Sequence, residues 1–292
     1  MQITDKLPDL IKLYGDLTKY RLSLAVTLST VTGYILARRD IGPEIMIPAT
    51  GVFLLASGSA ILNQFTERNT DAIMERTKNR PIPSGKIGLF HSAILFTFLL
   101  GSGLIILGIT GIIPCLLGVA NVLLYNFLYT PLKKVTSCAV IPGALVGAVP
   151  PLIGYTSAGG DILSYKIIAF MSFMFLWQLP HFWLLLIKYR NEFLAAGFKT
   201  PFKSLSETQI KLLIFIWALI TSSFLIVSGF TGLIGKKLLY VLIIINLAFI
   251  VVFYTLLFSK KESFPLKGAF ITINSFSLIV MILLITGSLI LG

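Results

Sequence analysis

Long apolar runs dominate the chain, and this feature limits most strongly what it can fold into. Of its 292 residues, 56% are hydrophobic and only 12% are charged. A run of about 20 apolar residues crosses a bilayer as a helix, and backbone polar groups in lipid need the internal hydrogen bonds of a helix or a closed barrel. We therefore expect an all-α integral membrane protein. The nine predicted transmembrane helices cover residues 22–37, 45–66, 89–107, 112–128, 138–155, 167–187, 212–227, 238–258 and 269–291.

The chain is predicted to have two parts. Residues 1–21 alternate apolar and charged side chains, which is typical of an amphipathic helix on the cytoplasmic membrane surface. Residues 22–292 are expected to form one nine-helix membrane domain. Most of the 24 Lys and Arg residues fall in segments that share one side of the membrane with the N-terminus. Because cytoplasmic loops carry an excess of Lys and Arg, we expect a multi-pass protein of the cell membrane, with a cytoplasmic N-terminus and its C-terminus on the opposite side.

The acidic and basic residues are densest in one short segment directly after the second predicted span. Asn63, Glu67 and Asp71 are four residues apart, so on a helix they share one face. Oxygen ligands on one face suit Mg²⁺, which binds one or two carboxylates together with waters and phosphate oxygens. Arg76 and Arg80 follow, and guanidinium groups bind phosphate well. The segment therefore predicts a pyrophosphate site, and the alternative is a loop of mixed charge that only sets topology.

Two further charged segments are predicted to reach the same side of the membrane. Lys133 and Lys134 follow the fourth span, where their ammonium groups either help to hold an anionic leaving group or only orient the chain. His181 and Trp183 lie within the sixth span, and polar side chains embedded in a membrane are costly and often functional. The residues that follow this span at its cytoplasmic end include Lys188, Arg190, Asn191 and Glu192.

Together these segments resemble the UbiA-type superfamily of intramembrane prenyltransferases. The first segment matches the motif N-x-x-x-D-x-x-x-D, with Glu67 in place of the first Asp. Within the superfamily, the chain is most similar to the protoheme IX farnesyltransferases. The matching stretches are ERxxDxxMxRTKNRP at 67–81, YTPLKKxT at 129–136, IPGALVGAVPPLIGY at 141–155 and WQxPHFW at 177–183. Asn191 and Glu192 stand where members of that family commonly have an Asp pair.

The resemblance implies a UbiA-type bundle that transfers a farnesyl group from farnesyl pyrophosphate to the vinyl group of haem B, with Mg²⁺ as cofactor, giving haem O. Haem B is then a substrate and not a prosthetic group. The implied catalytic residues are Asn63, Glu67, Asp71, Arg76, Arg80 and Lys133. The implied Mg²⁺ ligands are Asn63, Glu67, Asp71 and Glu192. The implied substrate-binding residues are Tyr129, Lys134, His181, Trp183, Lys188, Arg190 and Asn191.

The implied partners are the two substrates, the lipid bilayer and a downstream system that receives haem O, such as haem A synthase or terminal oxidase assembly; no nucleic-acid partner is expected. One alternative keeps the donor chemistry and changes the acceptor to a quinone precursor or another tetrapyrrole. Another alternative is a small-molecule transporter, which predicts polar residues near mid-membrane and related halves, whereas here the charges cluster at one rim. Whether His181 ligates the haem iron or only packs is open.

Overall fold

The regular structure of the described chain is helical. The computed structural model describes residues 3–259 and 266–290, and no β-strand occurs within them. Eight helical stretches in these residues are long and apolar enough to cross a membrane. The predicted all-α membrane class is therefore confirmed, and the protein is a multi-pass membrane protein.

The α-helices follow the predicted apolar runs closely, with shorter helices at the charged end. Their bounds are α1 Ile3–Thr18, α2 Tyr20–Arg38, α3 Met46–Asp71, α4 Leu89–Thr110, α5 Ile112–Leu123, α6 Thr130–Val135, α7 Val140–Ser157, α8 Tyr165–Lys188, α9 Arg190–Ala195, α10 Glu207–Ser228, α11 Lys236–Leu257 and α12 Leu266–Ile290. A π-helical stretch, Leu124–Tyr129, joins α5 to α6, so the two form one continuous rod. The last predicted span ends at residue 291, which lies outside the described residues.

Helix α2 occupies the first predicted span but is not among the eight apolar stretches. Its sequence is rich in hydroxyl residues, and Ser29, Thr30 and Thr32 are buried. Their hydroxyls donate to main-chain carbonyls of the preceding turn, those of Val26 and Leu28, which offsets the cost of burying them. The count of nine spans therefore stays a prediction, and eight of them are supported by helix length and apolar composition.

Helices α2 and α7 approach each other backbone to backbone at two glycines. A Cβ atom at Gly33 would lie 2.0 Å from the carbonyl oxygen of Pro151. A Cβ atom at Gly154 would lie 1.9 Å from the carbonyl oxygen of Thr30. No side chain fits at such distances, so only glycine permits this contact. The contact holds α2 in the interior of the bundle.

The bundle has an aromatic interior and an apolar exterior. Phe249 of α11 stacks on Phe276 of α12 with ring centroids 4.1 Å apart, and Phe173 of α8 meets Phe276 edge-on at 6.1 Å. Helices α4 and α5 instead expose large apolar side chains, such as Phe90 at 81% and Ile112 at 70%. Apolar surface this extensive is covered by lipid tails in a membrane protein.

A large cavity penetrates the bundle from the end that carries the charged segments. Its volume is about 730 Å³, and its walls come from α2, α3, the α5–α6 rod, α7, α8 and α12. The charged lining residues come from helix ends and loops at one end of these helices, and the other walls are mostly apolar. The fold thus places a polar mouth on an apolar interior.

Candidate active site

The C-terminal end of α3 presents Asn63, Glu67 and Asp71 to the cavity. All three are buried, with 2%, 5% and 2% of their surface exposed. The Asn63 Nδ2 group donates to Glu67 Oε2 at 2.7 Å and to Thr130 Oγ1 at 3.3 Å. The helix face that the four-residue spacing predicts therefore forms, and it lines the polar mouth of the cavity.

Each carboxylate on this face is paired with a basic side chain from another element. Arg80 Nη1, in the loop after α3, lies 2.7 Å from Asp71 Oδ2. Lys133 Nζ, on α6, lies 2.8 Å from Glu67 Oε2. Breaking a buried ion pair by removing one partner is strongly destabilising because it leaves an uncompensated charge. These two pairs therefore hold the loop and α6 against α3.

The acidic face fits a hard cation such as Mg²⁺. Glu67 Oε1 is buried and has no hydrogen-bond partner among the described residues, so this carboxylate oxygen is available to a cation. Mg²⁺ binds one or two carboxylates together with waters and phosphate oxygens. Within residues 3–259 and 266–290, no group of three or more His, Cys, Asp or Glu side chains is placed to hold a metal. Phosphate oxygens of a diphosphate would complete the coordination of a Mg²⁺ held at this face.

The loop after α3 carries the predicted phosphate-binding arginines and is fixed by buried residues. Thr77 is fully buried, and its Oγ1 donates to the main-chain oxygen of Asp71 at 2.8 Å. The Arg76 guanidinium lies 4.8 Å from the centre of the Tyr189 ring. Burial lowers the pKa of Arg76, and the positive charge of Arg80 lowers it further. Both arginines line the cavity, so an anion there would meet two guanidinium groups.

Lys19 also lines this site, although in the sequence it is only one of several positive charges in the N-terminal segment. It lies between α1 and α2, and its Nζ donates to Asn63 Oδ1 at 2.9 Å. Burial lowers the pKa of its ammonium group to about 7, and the positive charge of Arg80 is the next cause. In the sequence, Lys19 and Lys12 have the same appearance within a short amphipathic segment. Only the tertiary contact with Asn63 separates them, and no local pattern contains it.

The rod from α5 to α6 becomes π-helical just before Lys133. Pro131 has no N–H group and cannot donate to the preceding turn, whereas Thr130 Oγ1 donates to the carbonyl of Tyr125 at 2.8 Å. Tyr125 and Tyr129 stack with centroids 5.9 Å apart, and Lys133 Nζ lies 5.0 Å from the centre of the Tyr129 ring. One wall of the cavity thus carries two aromatic faces beside an ammonium group.

Further from the charged mouth, His181 lines the cavity among aromatic rings. Its ring centre lies 5.1 Å from that of Trp177 and 4.8 Å from that of Phe270. His181 Nδ1 is buried and has no hydrogen-bond partner in the described part of the chain. Since buried polar atoms normally have partners, this nitrogen marks a point at which a ligand can bind.

Two predicted substrate-binding residues lie outside the cavity wall. Trp183 is on the same helix as His181, but its side chain packs against the aromatic core formed with α10, α11 and α12. Lys134 is exposed, whereas its neighbour Lys133 lines the cavity. The structure thus separates His181 from Trp183 and Lys133 from Lys134, which the sequence alone does not distinguish.

Three predicted binding residues at the end of α8 and just after it lie beside the cavity, to whose wall the same segment contributes Phe193, Phe198 and Lys199. The Lys188 ammonium lies 5.0 Å from the centre of the Tyr189 ring. The Arg190 guanidinium lies 4.5 Å from the centre of the Phe202 ring. Asn191 is exposed. The structure therefore places these three predicted binding residues on the rim.

Glu192, the fourth predicted metal ligand, contacts the loop after α3. Its Oε2 accepts a hydrogen bond from the backbone N–H of Arg76 at 3.0 Å. The two acidic segments therefore meet, as expected for segments on one side of the membrane. The contact that the structure shows for Glu192 holds the Arg76 backbone, whereas Glu67 and Asp71 face the cavity directly.

This fold and this site define an intramembrane prenyltransferase, with a polar, cation-rich mouth above an apolar cavity. The chain belongs to the UbiA prenyltransferase family, whose model matches residues 26–288. A solved UbiA homolog from Archaeoglobus fulgidus, bound to GPP and Mg²⁺, has the same fold, with a TM-score of 0.74 at 13% identity over 94% of this chain and 99% of that chain. A digeranylgeranylglyceryl phosphate synthase gives a TM-score of 0.76 at 17% identity, over 96% and 98%.

Sequence relatives narrow the kind of prenyltransferase further. The protoheme IX farnesyltransferase of Oleidesulfovibrio alaskensis is 37% identical over 193 residues, which cover 66% of this chain and 68% of that protein. The protoheme IX farnesyltransferase of Aquifex aeolicus is 33% identical over 260 residues, covering 87% and 88%. The resemblance that the sequence motifs indicate is thus confirmed, and the chain is a prenyltransferase enzyme.

Proposed function

We propose that the protein transfers a farnesyl group from farnesyl pyrophosphate to the vinyl group of haem B, giving haem O. The observation that carries this proposal is the cavity itself: one mouth is lined by carboxylates, an amide and cations, and the remaining walls are mostly apolar. A diphosphate fits the mouth and an isoprenoid fits the apolar walls. The names of the relatives at 33–37% identity supply the farnesyl donor and the haem acceptor.

Asn63, Glu67 and Asp71 would hold Mg²⁺ together with diphosphate oxygens, and Glu192 joins them directly or through water. When bound, Mg²⁺ acts as a Lewis acid that stabilises the charge of the departing diphosphate. The orphaned oxygen of Glu67 supports this assignment. No protein group has to supply a strong base, because the leaving group departs with the electron pair of the allylic C–O bond.

The basic residues neutralise the diphosphate as it departs. Arg76, Arg80 and Lys133 all line the mouth of the cavity. Donors that are already in place stabilise charge in the transition state without reorganisation at the moment of reaction. These three side chains are therefore proposed to favour both the binding of the diphosphate and the ionisation of the donor.

The aromatic wall would shield the allylic cation until the acceptor reacts. Tyr125 and Tyr129 stack beside the mouth, and the Tyr129 ring lies 6.1 Å from that of Phe182. Aromatic faces attract cations, most strongly where water is excluded. The vinyl carbon of haem B then bonds to C1 of the farnesyl cation, and water adds to the resulting side-chain cation with loss of a proton.

The acceptor would lie against α8 and α12, near His181. This residue lines the cavity, and its Nδ1 has no hydrogen-bond partner among the described residues. We assign His181 to acceptor binding, through the haem iron or a polar group of the macrocycle. The rim residues Lys134, Lys188, Arg190 and Asn191 are proposed to meet the substrates as they enter, and Trp183 supports the helix that carries His181.

The proposed setting is the cell membrane, with the N-terminus and the charged mouth on the cytoplasmic side. The high proportion of Lys and Arg in the loops of that side supports this orientation. Reporter fusions at the two termini test it, because a cytoplasmic N-terminus and an external C-terminus report on opposite compartments. A downstream haem-modifying enzyme or oxidase assembly system would receive the product.

The decisive experiment combines protein purified in lipid nanodiscs with haem B, farnesyl pyrophosphate and Mg²⁺, and analyses the pigments by mass spectrometry. The expected product is haem B with one added farnesyl group and one added hydroxyl, and a chelator abolishes it. If haem B is unchanged while a quinone precursor is prenylated under the same conditions, the acceptor assignment is wrong and the donor site stands. If no acceptor is prenylated, the proposed function fails.

A further inference from the structure

Lys19 occupies a constrained position between the surface segment and the membrane bundle. Its backbone is left-handed, with φ 48° and ψ 47°, a conformation that a non-glycine residue adopts only at a cost. The surrounding contacts hold it there. Gln64 Nε2 donates to the carbonyls of Asp16 at 3.1 Å and Leu17 at 2.9 Å. The end of α1 is therefore bonded to α3 immediately before Lys19.

Apolar packing fixes the same junction. Leu17 is fully buried in a cluster with Ile61 of α3 and with Ile82 and Ile87 of the following loop. Helix α1 is thus attached to both elements that form the acidic face and its arginine loop. An attachment of this kind determines the direction of the Lys19 side chain, two residues after Leu17.

The ammonium group of Lys19 lies in the cavity without a carboxylate partner. Its Nζ donates to the neutral amide oxygen of Asn63 at 2.9 Å, and no ion pair joins it to an acidic residue in the described chain. Arg80 and Lys133, by contrast, each contact a carboxylate. An ammonium removed from water without a counter-charge is costly. Lys19 is therefore poised to accept an anion as its partner.

The same contact sets the orientation of Asn63. The Asn63 Nδ2 group donates to Glu67 and Thr130, and its Oδ1 accepts from Lys19. All polar atoms of this amide consequently have partners, and its oxygen faces the Lys19 ammonium. Lys19 thereby fixes the orientation of a side chain that the proposed function makes a metal ligand.

We infer that Lys19 is a diphosphate-binding residue, which α1 delivers to the mouth of the cavity, and that it positions Asn63. The inference rests on the proposed function, because the anion it assigns to Lys19 is the diphosphate of the prenyl donor. It gives the N-terminal segment a part in the site, whereas the sequence predicts only a surface helix. Lys19 acts here as a ligand and positioning group and takes no proton from either substrate.

The test compares Lys19→Met, Lys19→Arg and Lys12→Met in purified protein. Methionine keeps a long side chain at the left-handed position and removes both the charge and the hydrogen bond to Asn63, whereas arginine retains the charge and N–H donors. Lys12 is exposed on α1 and serves as the matched control. The probe is inorganic pyrophosphate with Mg²⁺. Its binding is measured by isothermal titration calorimetry and by the rise in melting temperature that it causes. This readout requires neither haem nor turnover.

For Lys19→Met we expect pyrophosphate affinity to fall by about 10- to 100-fold, the effect of losing one charge-assisted hydrogen bond. The melting temperature without pyrophosphate should change little, because removing a poorly solvated charge offsets the loss of its hydrogen bond to Asn63. Lys19→Arg should retain most of the affinity, and Lys12→Met should match the wild-type protein. The KM for farnesyl pyrophosphate should rise in parallel, with a smaller change in the KM for haem B.

Three results would overturn the inference in distinguishable ways. Wild-type affinity in Lys19→Met would show that the ammonium does not bind the anion, while the diphosphate site itself stands. A lower melting temperature without pyrophosphate, at unchanged affinity, would assign Lys19 a purely structural role. If the wild-type protein binds no pyrophosphate at all, the proposed donor site fails and the inference fails with it.

Discussion

Arg80 Nη1 and Asp71 Oδ2 are 2.7 Å apart in a pair whose carboxylate side is almost fully buried. The arginine predicted to bind phosphate and the carboxylate predicted to bind metal are therefore bonded to each other. A prenyl diphosphate bound together with Mg²⁺ would offer phosphate oxygens to Arg80 and the cation to Asp71. The site is organised so that protein ion pairs occupy the positions at which substrate charges are expected.

Replacing Asp71 tests the metal assignment. Asp71→Asn keeps the shape of the side chain and a hydrogen-bond acceptor for Arg80, and removes the negative charge. We expect turnover to fall by at least about 100-fold, because stabilisation of the leaving group is lost. The broken ion pair with Arg80 should lower the melting temperature, but the protein should remain folded at the assay temperature. Asp161→Asn, at an exposed position outside the cavity, is the control. Normal turnover in Asp71→Asn would exclude Asp71 as a metal ligand.

Arg80 should affect the donor more than the acceptor. Arg80→Ala removes a guanidinium that lines the mouth, and we expect the KM for farnesyl pyrophosphate to rise about 10- to 100-fold. The KM for haem B should change little. Lys78→Ala removes a neighbouring exposed cation, which pairs with Glu75 at 2.6 Å, and should leave both constants near those of the wild type. Equal changes in the two KM values would contradict a specific role for Arg80.

Lys133 and Lys134 form a matched pair of adjacent lysines. Lys133 contacts Glu67 and lines the cavity, whereas Lys134 is exposed. Lys133→Met should reduce kcat/KM for the donor by about 10- to 100-fold, and Lys134→Met by no more than about 3-fold, as for a surface charge. Steady-state kinetics at saturating haem B measures both. A larger effect at Lys134 would place the leaving group outside the cavity described here.

His181 should affect the acceptor. We expect His181→Phe to weaken haem B binding about 10-fold, as for the loss of one ligand or hydrogen bond, with pyrophosphate binding unchanged. Difference absorption spectroscopy of haem B titrated into the protein measures the first quantity, and calorimetry measures the second. Trp183→Phe is the control because Trp183 packs against the core and not the cavity. Unchanged haem binding in His181→Phe would argue that His181 only packs.

The glycine contact between α2 and α7 predicts a large stability effect from one methyl group. In Gly154→Ala the new Cβ would lie 1.9 Å from the Thr30 carbonyl oxygen, and neither backbone can move without displacing its helix. We expect a loss of about 1–3 kcal/mol or more in unfolding free energy. Gly101→Ala, where no atom lies within 4 Å, should be neutral or gain up to about 1 kcal/mol from helix propensity. Unfolding in mixed micelles compares the two, and similar values would refute the close contact.

The sequence predicts the parts of this structure that depend on local geometry. Eight spans follow from apolar run length, because a membrane helix has few other solutions. The shared face of Asn63, Glu67 and Asp71 follows from the helical period alone. Helix α2 is harder to classify because its hydroxyls are satisfied by carbonyls within the same helix, which a hydropathy scale does not register.

Other features depend on contacts between distant elements and have no local signature. Lys19 becomes part of the site only because α1 docks on α3, and Asn63 is 44 residues away. Lys133 and Lys134 carry the same charge at adjacent positions. Lys133 faces the cavity and Lys134 faces outward because of how the rod is turned about its axis. His181 and Trp183 differ for the same reason on α8. Composition and spacing do not determine these rotations.

The π-helical stretch between α5 and α6 lets the rod absorb a change of one residue in its length. A π-helical turn contains one more residue than the α-helical turn it replaces. Removing one residue from Leu124–Tyr129 would therefore let the rod continue as regular α-helix with nearly the same rotation on both sides, and Lys133 would still face the cavity. Removing one residue from 130–132, in the α-helical part before Lys133, would instead turn that side chain by about 100°. Related chains with a one-residue gap in the π-helical stretch should therefore keep their activity, whereas a gap just after it should reduce activity even where each side chain of the cavity is retained.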